Sequence, residues 1–236
     1  MYITKLKKAY NKKHCVLNNL SLSFERAEIN GIIGANGSGK TTLFNCIYGI
    51  DNDYEGEIEM GDKKGARYNI GYLPAELFFY PRTTGKEYLE FCAKARKVLS
   101  PNIYKWNQLF ELPLEHYAEH YSTGMKRKLG LMGLLLMDYE VLLLDEPFNG
   151  LDLATNMLLK EVLIKMKEGG KTIVICSHSL SLLTDISNKI YFLHKGAIEK
   201  VYSRKDFTHI EKELLAIVLK DKVSLIEGLV PILPSE

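Results

Sequence analysis

A glycine-rich segment near the N-terminus constrains the fold of this chain more than any other feature. Residues 34–41 read GANGSGKT, between an apolar segment at 28–33 and a segment at 40–48 whose apolar residues have helical spacing. Glycines let successive backbone N–H groups turn inward as an anion-binding nest, and a helix that starts there adds its positive dipole end. The pattern therefore predicts a strand, an anion-binding loop and a helix in that order.

Length and composition exclude several classes of protein. The 236 residues carry a net charge of +2, with 46% hydrophobic and 25% charged residues, which is ordinary for a soluble globular protein and excludes disorder. The longest uncharged apolar run, at 129–137, is much shorter than the ~20 residues that span a bilayer, and residues 1–5 show no signal-peptide pattern. A cytosolic protein is expected, unless a partner holds it at a membrane. The four widely spaced cysteines predict reduced thiols.

The order of apolar patterns along the chain predicts an α/β fold. Rough alternation over 2–24 predicts an antiparallel β lid, and a capping box at Thr84 and Glu87 starts a mainly helical insert. From residue 140 onward, strands at 140–144, 171–176 and 189–193 alternate with helices at 151–167 and 180–187, which indicates a parallel sheet covered by helices. We expect a P-loop NTPase core in a single domain, 1–236, with a helical subdomain at about 76–138 and a helical tail at 204–236.

The residues around the glycine loop suit triphosphate chemistry. Lys40 would reach the β and γ phosphates, the Thr41 hydroxyl would ligate Mg²⁺, and Thr42 can contact the α phosphate. The apolar strand at 140–144 ends in two acids. Asp145 can hold Mg²⁺ through water, and Glu146 can take a proton from an attacking water.

Further motifs resemble the ATP-binding subunit of ABC transporters, and the match covers almost the whole chain. Residues 142–152 read LLLDEPFNGLD and look like that family's Walker B strand and D-loop, while 172–178 look like the strand that leads to its switch histidine. Residues 121–128, YSTGMKRK, resemble the family signature LSGGQ in the variant form of many exporters. The resemblance implies the ABC ATPase architecture, hydrolysis of ATP, and ATP with Mg²⁺ as the bound groups.

The resemblance also assigns roles to individual residues. It implies that Glu146 and His178 are catalytic, that Asp152 couples two sites, and that Tyr10 stacks on adenine. The full ATP-binding set is Tyr10, Gly34, Asn36, Gly37, Ser38, Gly39, Lys40, Thr41 and Thr42. The signature residues that would contact ATP in trans are Ser122, Thr123, Gly124 and Met125. The Mg²⁺ candidates are Thr41, Asp145 and Glu76.

The same resemblance implies partners. They are a separately encoded membrane-spanning transporter subunit and a second ATPase subunit, either the same chain or a paralogue, closed onto this one by ATP. The protein would then lie on the inner face of the cell membrane through its partner and drive export. Residues 77–81, LFFYP, stand where the family lines the groove for a coupling helix. The alternative for them is ordinary packing of the helical insert.

One position departs from the family pattern. The family usually has a glutamine after the strand that here ends near residue 73, where it senses Mg²⁺ and the attacking water. This chain has Ala75 followed by Glu76. Either Glu76 reaches the metal from one residue later, or the contact is lost and hydrolysis is slower.

Single features of the sequence also suggest other functions. A soluble ABC-type ATPase at ribosomes or DNA usually has two ATP-binding units or a long coiled-coil insert, and this sequence shows neither pattern. Another P-loop enzyme, such as a kinase or a GTPase, is the second alternative, but the NKxD motif that selects guanine is absent. Residues 116–120 match the zinc-protease pattern HxxEH but are expected to form a solvated helical turn. The basic stretches at 5–8, 11–13 and 126–128 are expected to be solvated faces, so no nucleic-acid partner is expected.

Overall fold

The computed structural model describes residues 1–11, 14–60 and 69–219. The strands are β1 Tyr2–Asn11, β2 His14–Ser23, β3 Ile29–Ile33, β4 Glu55–Glu59, β5 Ile70–Leu73, β6 Val141–Asp145, β7 Thr172–Ser177, β8 Lys189–His194 and β9 Ala197–Ser203. The helices are α1 Lys40–Tyr48, α2 Gly85–Ala95, α3 Ile103–Phe110, α4 Thr123–Leu136, α5 Leu153–Glu168, α6 Leu180–Ile186 and α7 Ile210–Leu219.

The larger sheet has six strands in the order β5-β6-β7-β3-β8-β9. Its first five strands pair in parallel, and β9 runs antiparallel to β8 at one edge. The prediction of a mainly parallel sheet from alternating strands and helices is confirmed. Strand β9 was not predicted, because exposed residues at 199–201 interrupt its apolar pattern.

The central strands are mainly apolar because both faces of this sheet are buried. In β6, Leu142 and Leu144 belong to one hydrophobic cluster, whereas Leu143 belongs to another. The first cluster includes residues of α2, α4, α5 and α6, and the second includes residues of α1 and of the smaller sheet. A parallel sheet covered on both faces produces such a continuous apolar run.

The smaller sheet is antiparallel, in the order β2-β1-β4, as the alternation over residues 2–24 predicts for its first two strands. The Asn18 N–H donates to the Gly196 carbonyl at 2.9 Å, which ties β2 to the turn between β8 and β9. At Gly39, with φ of 108°, an added Cβ would lie 2.8 Å from Leu17 Cδ2. The lid therefore packs directly on the glycine loop.

Helices α2 and α4 begin at side-chain caps. The capping box predicted at Thr84 and Glu87 is present, with the Glu87 N–H donating to Thr84 Oγ1 at 3.2 Å. At the start of α4 the Ser122 hydroxyl accepts a hydrogen bond from the Met125 N–H at 3.2 Å. Such caps satisfy amide groups that a helix leaves unpaired, so the beginning of α4 is fixed by its own sequence.

The C-terminal region agrees with the expected helix only in part. Helix α7 lies within the expected tail and buries Ile210 and Leu214, whereas Val218 is 42% exposed. Residues 220–236 of the expected tail, including the apolar segment at 229–234, lie outside the described residues.

Truncation of a buried residue in the central strand β6 tests whether the two hydrophobic clusters stabilise the larger sheet. We expect Leu143→Ala to lower the free energy of unfolding by about 3 kcal/mol, because Leu143 is fully buried and the space it fills cannot collapse completely. Urea denaturation measures the change. Leu99→Ala is the matched control, since Leu99 is 98% exposed and the same deletion there should change stability by less than about 0.5 kcal/mol. Equal losses in the two variants would contradict the assignment of the core.

Candidate active site

The candidate site lies at the edge of the larger sheet where the parallel strands end. Pairing places β7 between β6 and β3, with Asp145 opposite Cys176 and Ile33 opposite Ser177. The loops that follow these strands therefore meet at one edge. In parallel α/β sheets, ligands bind in the crevice outside the carboxyl ends of the strands.

The glycine loop has the backbone of an anion nest. Gly37 and Gly39 have φ of 79° and 108°, which side chains disfavour. An added Cβ on Gly34 would lie 2.4 Å from the Leu193 carbonyl oxygen. No side chain caps the start of α1, so its first amide N–H groups are available to an anion. The Ser38 hydroxyl is buried and has no hydrogen-bond partner among the described residues.

Lys40 brings a positive charge to the same loop. Its side-chain ammonium donates to the Gly34 carbonyl at 2.7 Å and to the Ala35 carbonyl at 3.3 Å. The residue is only 7% exposed, and no carboxylate among the described residues lies within 4.0 Å of its Nζ. A buried cation without a counterion favours an anionic ligand.

Thr41 and Asp145 form the second part of the site. The Thr41 hydroxyl donates to Asp145 Oδ2 at 2.7 Å. Asp145 is 1% exposed, and this burial raises the pKa of its carboxyl, as does the nearby charge of Glu146, while the hydrogen bond from Thr41 opposes the shift. Hydroxyl and carboxylate oxygens are the ligands that Mg²⁺ prefers, so this pair fits the metal that the sequence implies.

Glu146 and His178 touch each other. Glu146 has φ of 50°, in the left-handed region, and its Oε2 lies 3.0 Å from Nδ1 of His178. The Ser177 hydroxyl donates to the same carboxylate oxygen at 3.3 Å. The His178 side chain is 60% exposed and that of Glu146 is 13% exposed. A carboxylate fixed by two neighbours at the strand edge can act as a general base.

Tyr10 lies beside the helix that follows the glycine loop. Its hydroxyl is 3.5 Å from Thr42 Oγ1, and its ring is 56% exposed. The ammonium of Lys8 lies 5.1 Å from the ring centroid. The exposed ring is therefore available for stacking next to the glycine loop, as the resemblance implies.

The signature residues 122–125 lie at the start of α4 and not at the glycine loop. They pack against the loop that precedes α5. An added Cβ on Gly124 would lie 2.4 Å from the Gly150 carbonyl oxygen. Asp152 caps α5 by accepting the Thr155 N–H at 2.8 Å, and this bond lowers the pKa of its carboxyl. Within the described part of the chain, no hydrogen bond or ion pair joins residues 122–125 to residues 34–42. The donors at the start of α4 are therefore not part of the site around Lys40 in a single chain.

Two of the basic stretches are solvated faces only in part, because one basic residue of each is buried. Lys8 is 3% exposed, and its ammonium binds Asp51 Oδ1 and the Asp53 carbonyl, each at 2.6 Å. Arg127 is 6% exposed and donates to the Pro74 and Ala75 carbonyls. In each stretch the other basic residues are more exposed than the buried one. Sequence spacing alone does not show which basic residue of such a stretch points into the core.

Glu76, the third metal candidate, is exposed and makes no hydrogen bond or ion pair with any described residue. Nothing in its environment holds it toward Asp145. Ser177, which orients the Glu146 carboxylate, was missed because a serine at the end of an apolar strand gives no distinctive signal.

The HxxEH segment is a short turn. Only residues Ala118–His120 are helical, as one 3-10 turn, because Tyr117 pairs with Thr84 in an isolated β-bridge. Glu119 Oε1 accepts the Arg82 N–H at 3.0 Å. Among the residues that the structure describes, no group of three or more His, Cys, Asp or Glu side chains could hold a metal ion.

The aromatic segment at 77–81 divides between core and surface. Phe79 is buried and packs against Tyr88 with ring centroids 4.9 Å apart. Phe78 and Tyr80 are 77% and 73% exposed and contact each other edge to face. Core packing therefore accounts for Phe79, whereas Phe78 and Tyr80 remain available for the docking role that the resemblance implies.

Comparisons with known proteins agree with this geometry. Residues 17–149 match the family described as ABC transporter. The ABC-type transporter ATP-binding protein EcsA of Bacillus subtilis is 33% identical over 78% of this chain and 79% of its own length. The aliphatic sulfonates import ATP-binding protein SsuB of Bacillus cereus is 32% identical over 80% of this chain and 79% of its length. Three other curated relatives are longer, and the chain spans 56 to 63% of them.

Solved structures share the fold. An ATP binding subunit of an ABC transporter superimposes with a TM-score of 0.79 at 26% identity, over 90% of this chain and 93% of that one. A dimeric bacterial ABC transporter cassette gives a TM-score of 0.75 at 22% identity, over 86% and 98% of the two chains. Within the described residues, no helix has the length and apolar character needed to cross a membrane.

The raised pKa of Asp145 gives a testable dependence of stability on pH. Because the folded state holds this proton more tightly than the unfolded state, ionisation of Asp145 lowers stability as pH rises from its ordinary value of about 4 through the folded pKa. We expect Asp145→Asn, without nucleotide or Mg²⁺, to be more stable than wild type at pH 8, and the difference to shrink toward pH 4. Asparagine keeps an acceptor for Thr41.

Urea denaturation across this pH range in the presence of a chelator measures the difference. Glu57→Gln is the control, because that side chain is exposed and forms no ion pair with a described residue, so its replacement should give no such trend. A less stable Asp145→Asn protein at pH 8 would show that Lys40 and Arg127 more than offset the burial of the charge.

Proposed function

The chain belongs to the ABC transporter family of ATP-binding proteins and is an ATPase, and from this we propose that it powers transport by a separately encoded membrane-spanning subunit. The observation that carries the proposal is the convergence of three groups at one sheet edge. These are the buried Lys40 ammonium, the Thr41–Asp145 pair and the Glu146 carboxylate. We take residues 1–236 as one ATP-binding domain, with the helical subdomain at about 76–138.

ATP binding is assigned to the glycine loop and its surroundings. The amide groups of residues 34–39 and the Lys40 ammonium hold the β and γ phosphates, since this is where the chain offers donors and an unpaired charge. Thr42 contacts the α phosphate. Tyr10, next to Thr42, stacks on the adenine with its exposed ring.

Hydrolysis is assigned to Glu146. The carboxylate accepts a proton from water as the water oxygen bonds to the γ-phosphorus and the bond to the bridging oxygen of ADP breaks. His178, in contact with Glu146, holds the carboxylate and contacts the γ-phosphate. Thr41 and Asp145 would hold Mg²⁺, which when bound neutralises phosphate charge.

A second subunit completes the site. The capped start of α4, with Ser122, Thr123, Gly124 and Met125, offers a hydroxyl, amide N–H groups and a helix dipole that are not used at the chain's own glycine loop. We infer that a second copy of this chain, or a paralogue, supplies them across an ATP-closed dimer. Asp152, at the cap of α5 next to this segment, connects the two sites.

The membrane partner is proposed to dock on the exposed pair Phe78 and Tyr80. Adjacent exposed aromatic side chains are typical of the central part of protein interfaces. This docking would hold the chain on the inner face of the cell membrane. A role at ribosomes or DNA is not favoured, because the matching family and the relatives named above are transport proteins.

For the direction of transport we propose export, from the similarity of residues 121–128 and 149–152 to exporter branches. The relatives at this level of identity include a protein named for import. Transport in inside-out membrane vesicles decides the direction, since an exporter accumulates its substrate inside them when ATP is outside.

Glu146→Gln tests the assigned base. We expect hydrolysis to fall by about 100-fold or more, with ATP binding retained, because the change removes the proton acceptor but leaves the phosphate nest intact. Light scattering with and without Mg-ATP should show a monomer that becomes a dimer with ATP. Lys40→Ala should instead lose ATP binding and stay monomeric. Hydrolysis by Glu146→Gln at the wild-type rate would contradict the assignment.

A surface variant tests the docking site. We expect the double variant Phe78→Ser and Tyr80→Ser to keep ATP hydrolysis, since neither ring contacts the site, but to lose its multispanning partner when tagged protein is purified from membranes of its own cells. Mass spectrometry identifies the partner. Tyr2→Ser, a similar change at a 54% exposed tyrosine on the lid, should retain it. Retention by the double variant would place docking elsewhere.

A further inference from the structure

Arg127 is a buried cation between the start of α4 and the loop after β5. It is 6% exposed, its Nη1 donates to the Pro74 carbonyl at 2.8 Å, and its Nη2 donates to the Ala75 carbonyl. The planar guanidinium thus binds two successive carbonyls at once. Lysine cannot reproduce this geometry, because its ammonium is a point charge without a fixed fork of donors.

The burial of Arg127 needs an electrostatic explanation. No carboxylate among the described residues lies within 4.0 Å of its guanidinium, so its direct partners are neutral carbonyls. The carboxylates whose charges act on it are Asp145 and Glu146, which are both assigned to the hydrolytic site. The geometric role of Arg127 is therefore the fork of two hydrogen bonds to the Pro74 and Ala75 carbonyls, and the charges of the two acids act on it from beyond 4.0 Å.

Arg127 joins two segments to which different functions are proposed above, namely contact with ATP in a second subunit and docking of the membrane partner. Helix α4 begins with the capped residues 122–125. The loop after β5 continues into the exposed pair Phe78 and Tyr80. Ala75 has no polar side chain to fix this loop, and Glu76 makes no bond with a described residue. Among the described hydrogen bonds, those from Arg127 are the ones that hold the loop carbonyls to α4.

We propose that Arg127 is a positioning residue, which holds residues 74–76 against α4 beside Asp145 and Glu146. Through this bond, displacement of the Phe78 and Tyr80 surface is passed to the start of α4 and to the surroundings of the catalytic carboxylate. The proposal rests on the hydrolytic site proposed above.

Arg96 serves as a control, an arginine with two similar hydrogen bonds at an exposed position. Its guanidinium donates to the side chain of Asn69, next to the start of β5, and to the Met137 carbonyl, at the end of α4. Arg96, which is exposed at the end of α2, therefore bridges the residue before β5 and the residue after α4, at the opposite ends of these two elements from the Arg127 contacts. Replacement of either arginine by methionine removes one such link and keeps most of the side-chain volume.

Hydrogen–deuterium exchange and single-turnover hydrolysis test the proposal on Arg127→Met, Arg127→Lys and Arg96→Met. We expect Arg127→Met to speed exchange in the peptide 74–81 by about tenfold and to slow hydrolysis by about 10- to 100-fold, because small misplacements at a site are costly. ATP affinity should stay within about threefold of wild type, since the phosphate loop is not altered. Arg127→Lys should recover part of the rate, and Arg96→Met should match wild type in both measurements.

The outcomes distinguish a positioning role of Arg127 from a general loss of protein stability. Unchanged exchange and rate in Arg127→Met would overturn the proposal, and so would equal losses in Arg127→Met and Arg96→Met at equal decreases in melting temperature. If Arg127→Met does not fold, Arg127→Lys alone decides, because it keeps the charge and loses the fork. Failure of the proposed function would appear differently, as equal hydrolysis by wild type and Glu146→Gln.

Discussion

The hydrogen bond from Thr41 to the buried carboxylate of Asp145 is the contact on which the rest of the site depends. It joins the helix that follows β3 to the end of β6, across β7, which lies between them in the sheet. This contact forms only when three strands pair in parallel and in the observed register. The two hydrophobic clusters that cover the sheet on both faces hold that register, because a shift by one residue would exchange the faces.

Several unfavourable features are concentrated at this edge of the sheet. Asp145 is desolvated, Lys40 is buried with no carboxylate of the described residues within 4.0 Å, and Glu146 has a left-handed backbone. Each lowers the stability of the free protein. The phosphates of the proposed ligand would pair with Lys40, and its Mg²⁺ would pair with Asp145. Local strain of this kind persists only where the surrounding structure is rigid, and the fully buried strand β7, between β6 and β3, provides that rigidity.

The sequence predicted those parts that depend on local chemistry. The strand, glycine loop and helix of residues 28–48, the capping box at Thr84 and the buried strand before Asp145 follow from rules that act over a few residues. The inward positions of Lys8 and Arg127 could not be predicted, because their partners are 43 or more residues away and include backbone carbonyls. The edge strand β9 was missed for a related reason, since its place depends on β8 rather than on its own pattern.

The arrangement also limits how ATP could drive motion. In a single chain the proposed site would hold one side of the phosphates, and among the described residues no hydrogen bond or ion pair joins the start of α4 to the glycine loop. If a second subunit supplies its α4 to the open side, as proposed, a nucleotide shifts the equilibrium toward that dimer, since a ligand acts through its differential affinity for two states. If Arg127 connects α4 to the Phe78 and Tyr80 surface, occupation of that surface must change the affinity for ATP by the same factor as ATP changes the affinity for the partner, because coupling free energies are reciprocal.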